Sequence, residues 1–207
     1  MSGMGHQQLA SYNRVMEQTA AIVVSYLLGS ISFGVVVASL QGVDIRSVGS
    51  GNPGMSNILR NLGKKSAALV LLGDGLKGAG AAAIGSAWIG GDFGWVTLFA
   101  AVVGHSFPIW HRFRGGKGVA TAIGGLIFLV PWIGIALGVI WIAILVVWRT
   151  ASIGSLVVMG LLVPLVALSG GSRVAIAWAS LIALFIVVRH ASNIRRLITA
   201  SEDRVSR

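Results

Sequence analysis

Long apolar runs separated by short polar, glycine-rich breaks set the pattern of this chain. The first run covers residues 19–40. Roughly 20 residues at a rise of about 1.5 Å cross a hydrocarbon core of about 30 Å. Further apolar runs cover residues 64–89, 95–110, 118–130, 133–148, 156–168 (beginning near Ser152) and 174–188. The run at 118–130 is too short to cross without tilt, thinning or a broken start. Within the first run, Gly29, Ser30, Ser32 and Gly34 make a small, weakly polar region suited to packing against another helix. The expected fold is therefore an all-α integral membrane bundle of about seven transmembrane helices, some of them short or broken. A five-span alternative, with the short middle segments merged or re-entrant, leaves the polar loops on the same side. Residues 1–18 read as a polar lead without the basic n-region of a signal peptide. Residues 19–197 read as a single transmembrane domain, and residues 198–207 as a polar tail.

Composition supports this class. Hydrophobic residues make up 55% and charged residues 11% of the chain, with a mean hydropathy of +0.85; soluble domains carry about 25% charged residues. The length allows one bundle and no second large domain. The 29 glycines suit helices packed backbone to backbone. The absence of cysteine excludes thiol nucleophiles, disulfides and thiolate metal sites.

The net charge of +10 does not imply nucleic acid as a partner, because the basic residues fall at the ends of apolar runs. Arg46, Arg60, Lys64, Lys65, Arg112, Arg114, Lys117, Arg149, Arg189, Arg195, Arg196, Arg204 and Arg207 share one side in the seven-span reading. Arg14 and Arg173 lie on the other. The positive-inside rule then puts the N-terminus outside and the C-terminus in the cytoplasm.

Chemistry concentrates in the polar breaks. Three glycines and a proline within residues 49–54 forbid a regular helix there, and the free N–H groups of such a loop form a concave anion site. Ser50, Asn52, Ser56 and Asn57 add hydrogen-bonding side chains, and Arg60 adds a planar cationic fork. A second basic, glycine-rich loop, His111-Arg112-Phe113-Arg114-Gly115-Gly116-Lys117-Gly118, runs into the apolar helix at 118–130. It lacks P-loop spacing, so ATP is not implied. A lysine at a helix N-terminus still suits a phosphate. The 149–155 turn and the 189–196 segment fall on the same face, and the four segments together point to an anion site.

Asp74 and Lys77 lie on one face of the second span, as an ion pair that locks packing or as added positive potential for the site. His105, His111 and His190 sit near the membrane face, while His6 is in the lead. No carboxylates cluster with these histidines and the surroundings are basic, so no metal is expected. A Gly-x-Ser-x-Gly elbow and a His-x-x-x-x-Asp pair are both missing.

Three motifs carry a family resemblance. Gly49-Ser50-Gly51-Asn52-Pro53-Gly54-x-x-Asn57, with Arg60, resembles the first motif of the PlsY-type bacterial glycerol-3-phosphate acyltransferases. His105 to Pro108 followed by Phe113-x-Gly115-Gly116-Lys117-Gly118-Val119-Ala120-Thr121 resembles the second. Arg189-His190-x-x-Asn193-Ile194-x-Arg196-Leu197 resembles the third. Asp74-x-x-Lys77-Gly78 and Tyr26-Leu27-Leu28-Gly29-Ser30 also match, so the similarity covers nearly the whole chain after residue 20.

The resemblance implies transfer of an acyl group from acyl phosphate to the 1-hydroxyl of sn-glycerol 3-phosphate, in a bacterial inner membrane with the site on the cytoplasmic side. No cofactor is implied. Phosphate is a good leaving group, so no enzyme nucleophile is needed. By resemblance, Ser50, Ser56, Lys117 and Ser155 bind phosphate or acyl phosphate, and Arg60 and Asn193 place the acceptor with His190 close by. Asn52, Asn57, His105, Gly116 and Gly118 complete the implied binding set, and Lys117, Arg60 and His190 are the implied catalytic residues. The sequence leaves open whether the hydroxyl proton goes to His190 or to a substrate phosphate oxygen, and it specifies no oligomeric state.

Two departures stand out: Met55-Ser56 replaces the commoner Ala-Thr, and Ala191-Ser192 replaces Arg-Glu after the histidine. The competing function is a small membrane transporter of an organic phosphate, which needs charges on the outer half of an anion path; the outer loops are short and nearly uncharged.

Overall fold

Apolar runs become helices throughout residues 2–204, the part of the chain that the structure, a computed structural model, describes. Met1 and residues 205–207, the last of the expected tail and including Arg207, lie outside the described residues. The α-helices are α1 (Ser2–Gly29), α2 (Phe33–Ser39), α3 (Met55–Trp88), α4 (Phe93–Ser106), α5 (Val119–Leu129), α6 (Pro131–Trp148), α7 (Ala151–Leu168), α8 (Arg173–Arg189) and α9 (Ala191–Ile198), with a 3-10 turn at Ile109–His111.

Among the described residues, five segments are long and apolar enough to cross a membrane: Gln7–Ser39, Met55–Trp88, Phe93–His111, Pro131–Trp148 and Ala151–Leu168. α8 and α9, bent by 57° at His190, make a sixth when counted as one span. The expected short member is α5. Its 11 residues rise only about 16 Å, half of the hydrocarbon core.

The helices depart from the apolar runs in three places. The polar lead is not set apart from the first span: α1 begins at Ser2 and runs unbroken into it. Residues 7–18 contain no Gly or Pro and several good helix formers, so the helix propagates outward from the packed part. The first span is not one helix either, since Ser30–Ser32 separate α1 from α2. The freed Ile31 carbonyl cannot remain bare inside a membrane bundle, and Lys77 Nζ donates to it at 2.7 Å. Finally, the polar segment up to Gly63 is helical from Met55 onward. Gly63, at φ 80° and ψ 179°, breaks the helix before Lys64; that positive φ suits glycine and strains any other residue.

α3 is the central element and packs against α1, α2, α4 and α5. Close approach rests on glycine. A Cβ at Gly78 would strike the Thr121 carbonyl of α5, one at Gly124 the Gly75 carbonyl of α3, and one at Gly104 the Tyr26 carbonyl of α1. Lipid removes the hydrophobic drive between helices, so this backbone-level packing and buried hydrogen bonds hold the bundle. Tyr26 Oη donates to the Phe107 carbonyl at 2.8 Å, pinning the end of α4. Leu98, Leu126, Leu137, Leu162, Ile182 and Ile186 fill the larger apolar core.

Candidate active site

The first polar loop is knitted by Asn57, which is buried. Its Nδ2 donates to the carbonyls of Val48 (3.0 Å) and Ile45 (3.3 Å). Its Oδ1 accepts from the Ser50 N–H (3.1 Å) and from Asn61 Nδ2 (3.0 Å). Gly49 turns beneath it at φ 57°, where a Cβ would collide with Asn57 Oδ1. Asn52 Oδ1 accepts from the Gly54 N–H at 2.9 Å and shapes the entry into α3. Asn57 therefore spends both ends of its amide on the loop and the start of α3, and Asn52 its Oδ1, whereas among the described residues Arg60 Nη2 makes only a long contact to Ser50 Oγ (3.4 Å) and an ion pair with Asp203 (3.8 Å).

The second loop is held from behind. The Gly115 and Gly116 N–H groups donate to the carbonyls of Ser106 and His105 (3.2 and 3.1 Å). Gly116 is seated against the His105 ring, where a Cβ would collide with Nε2. Gly118, at φ 87°, starts α5. On the third side, Ser155 Oγ accepts from Trp141 Nε1 (3.1 Å) and donates to the Ala151 carbonyl (2.8 Å). On the fourth, His190 Nδ1 sits 2.8 Å from the Ile186 carbonyl. A carbonyl only accepts, so Nδ1 carries the proton and Nε2 keeps a lone pair.

These pieces line one cavity of about 620 Å³. Ser50, Asn52, Ser56, Asn57, Arg60, His105, Lys117, Gly118, Ser155, His190 and Asn193 all contribute to its wall. The helices α3, α5, α7 and α9 each present first-turn residues to it, and none of these N-termini has a side-chain cap. Uncapped N–H groups and positive dipole ends favour an anion at this point. The wall also holds Arg189 and Arg196. Burial is the main reason that Lys117 titrates low, at about 8; Glu202 opposes that shift, and Arg196, Arg189 and Arg60 add to it.

The cavity continues away from this polar end along Leu72, Leu76, Ile123, Ile127, Gly138 and Ile142 of α3, α5 and α6. Leu76 is 70% exposed and Ile142 49%, so the apolar end opens sideways on the lipid-facing surface.

Sequence reasoning missed Glu202 and Asp203. The tail folds back, and Glu202 accepts from Ser152 (2.8 Å), Asn193 and Arg196 Nε (2.7 Å). Burial pushes the Glu202 carboxyl upward, but the hydrogen bonds from Asn193, Ser152 and Arg196 outweigh it and leave the group below its ordinary value. A polar tail has no periodicity, so no local signal marks this return. Asp74 and Lys77 resolve as a buried ion pair of 2.7 Å. Among the described residues no cluster of His, Asp and Glu is arranged to hold a metal ion.

The family model described as glycerol-3-phosphate acyltransferase matches residues 19–200. A glycerol-3-phosphate acyltransferase of Sinorhizobium medicae is 42% identical over 90% of this chain and 91% of its own length. One of Thiobacillus denitrificans is 44% identical over 90% of this chain and 96% of its own. Crystal structures of PlsY (YgiH), an integral membrane glycerol 3-phosphate acyltransferase, superpose closely. Its glycerol 3-phosphate form has a TM-score of 0.86 and 38% identity over 91% of this chain and 96% of that one. Its lysophosphatidic acid form has a TM-score of 0.84 and 37% identity over 90% and 94%.

Proposed function

This chain belongs to the glycerol-3-phosphate acyltransferase family, and from that premise we propose that it transfers an acyl group from acyl phosphate to the 1-hydroxyl of sn-glycerol 3-phosphate. The products are lysophosphatidic acid and inorganic phosphate. One observation carries the reading: a single cavity joins a cationic end, built from four uncapped helix N-termini with Arg60 and Lys117, to an apolar trough open to the side. Such a shape suits two phosphoryl groups in water and one acyl tail in lipid. The cationic end belongs at the cytoplasmic face of the bacterial inner membrane, with the N-terminus outside, because the basic loops share that end.

In the reaction the acceptor oxygen bonds to the acyl carbonyl carbon, and the bond from that carbon to the phosphate oxygen breaks, its electron pair leaving with phosphate. Lys117, Arg60 and the helix N-termini stabilise charge on the departing phosphate. Holding both substrates in one cavity supplies proximity. His190, which lines the cavity and whose Nε2 keeps a lone pair, takes the hydroxyl proton. Ser50, Ser56 and Ser155 place the acyl phosphate, and Asn193 places the glycerol.

The test is purified protein in detergent or liposomes with palmitoyl phosphate and labelled glycerol 3-phosphate. Lysophosphatidic acid formation that is lost in Lys117→Ala and Arg60→Ala supports the reading. No product with any acyl donor, together with glycerol 3-phosphate uptake into liposomes, overturns it in favour of transport.

A further inference from the structure

Lys77 stands at the centre of a buried cluster that the reaction above does not use. Its Nζ lies 2.7 Å from the Ile31 carbonyl, 2.8 Å from His105 Nδ1 and 2.7 Å from Asp74 Oδ1. Lys77 and Asp74 are each 2% exposed. An ammonium has three protons and no lone pair. Two of them point well at Ile31 O and His105 Nδ1. The contact with Asp74 is one of charge more than direction, since Asp74 Oδ1 has no partner in good hydrogen-bond geometry.

His105 Nδ1 is thereby constrained. An N–H at Nδ1 would face the ammonium at 2.8 Å, donor against donor and, for an imidazolium, charge against charge. A neutral Lys77 would relieve that clash but abandon the Asp74 carboxylate in a low-dielectric interior, at high cost. Asp74 Oδ1 also lies 3.4 Å from Nδ1 but makes no hydrogen bond, so the 2.8 Å contact with Lys77 decides: Nδ1 offers its lone pair, and the ring proton sits on Nε2. No hydrogen bond among the described residues uses Nε2. This atom lies against Gly116, next to Lys117, and His105 is part of the cavity wall.

We propose that Lys77, paired with Asp74, is a positioning residue that fixes His105 as its Nε2–H tautomer, so that the imidazole offers a neutral donor beside Lys117 to a phosphoryl oxygen. The last clause rests on reading the cavity as an acyltransfer site; the tautomer does not. His190 is set the other way, with its proton on Nδ1 and a lone pair on Nε2. One ring donates and the other accepts at the same wall.

The experiment is two-bond proton–nitrogen correlation NMR on the full chain, labelled with nitrogen-15 histidine in detergent micelles. His105 and His190 are assigned through His105→Gln and His190→Gln. The expected spectrum shows Nε2–H for His105 and loss of that preference in Lys77→Met. A wild-type His105 signal of the Nδ1–H or doubly protonated form overturns the proposal, as does an unchanged tautomer in Lys77→Met. Should Lys77→Met fail to fold, the wild-type spectrum still decides the tautomer.

An activity pair then tests the donor. Gln places an amide N–H near the Nε2 position, whereas Asn reproduces only the acceptor that faces Lys77. His105→Gln is expected to keep kcat within about tenfold and His105→Asn to lose about 100-fold, the cost of one transition-state donor. Equal losses, or the reverse order, overturn the donor role. Failure of the acyltransferase reading looks different: no product from the wild type, with the NMR pattern intact.

Discussion

Arg189 reaches from the end of α8 and donates through Nη2 to the main-chain carbonyl of Gly116 at 3.2 Å. This bond joins the helix that leads into His190 and Asn193 to the loop that carries Lys117. The guanidinium also lies 4.8 Å over the Phe107 ring, and its buried Nε has no hydrogen-bond partner. A charged hydrogen bond contributes about 1.5–3 kcal/mol and a cation–π contact about 0.5–1. Arg189→Ala is therefore expected to lower kcat/KM by at least about tenfold, since tenfold corresponds to about 1.4 kcal/mol. Arg189→Lys keeps the charge but loses the planar fork, and should recover only part of the loss. Steady-state kinetics with varied glycerol 3-phosphate checks both.

Asn57 holds the first loop with both ends of its amide. Asn57→Asp cannot donate to the Ile45 and Val48 carbonyls, and it places a carboxylate where the loop expects donors. The expected cost is about 2–4 kcal/mol in stability, with activity lost along with the loop. Asn57→Leu should cost a similar amount while adding no charge. Thermal unfolding in detergent, followed beside activity, measures both, and a variant that stays stable but inactive would contradict this ordering.

Glycine spacing between α3 and α5 makes a packing prediction. A Cβ at Gly78 would strike the Thr121 carbonyl, which is backbone and cannot swing aside. Gly78→Ala should destabilise by about 1–3 kcal/mol and displace α5, and with it Lys117. Gly160→Ala is the control, because nothing lies within 4 Å of a Cβ there; it should stay within about 0.5 kcal/mol of wild type. Melting temperatures of the two variants in one detergent give the comparison.

Titration of Lys117 gives a pH prediction. With its amine lowered to about 8 by burial, the ammonium is present below that pH and lost above it. kcat/KM, which reports the free enzyme, should fall as pH rises through about 8. Lys117→Arg stays charged and should remove this alkaline limb. Stability moves in the opposite sense. Between about 8 and the ordinary value of 10.5 the unfolded chain binds the extra proton, so stability should rise with pH across that window. The depressed Glu202 carboxyl gives the acid limb. Its contribution is present above the ordinary value of 4.5 and is lost as pH falls through its lower folded value. Glu202→Gln should weaken the tie between Ser152, Asn193 and Arg196 above that range and approach the wild type below it, where the carboxyl is itself neutral. Unfolding measured from pH 3 to pH 10.5 in wild type and both variants separates the two groups.

Hydropathy and turn chemistry are local properties, so the chain by itself determined the helical membrane class, the apolar runs, the short α5 and the polar segments that hold Ser50, Arg60, Lys117 and Asn193. The motif spacing also determined the family. Tertiary structure decided what the loops make together. Four uncapped helix N-termini converge on one cavity, Glu202 returns from the tail to bridge Ser152, Asn193 and Arg196, and Gly116 is seated against the His105 ring. It also decided the break at Ser30–Ser32, whose bare Ile31 carbonyl is met by Lys77 from 46 residues away. Such pairings depend on which segments the bundle brings within hydrogen-bond reach, and no window of sequence contains that distance.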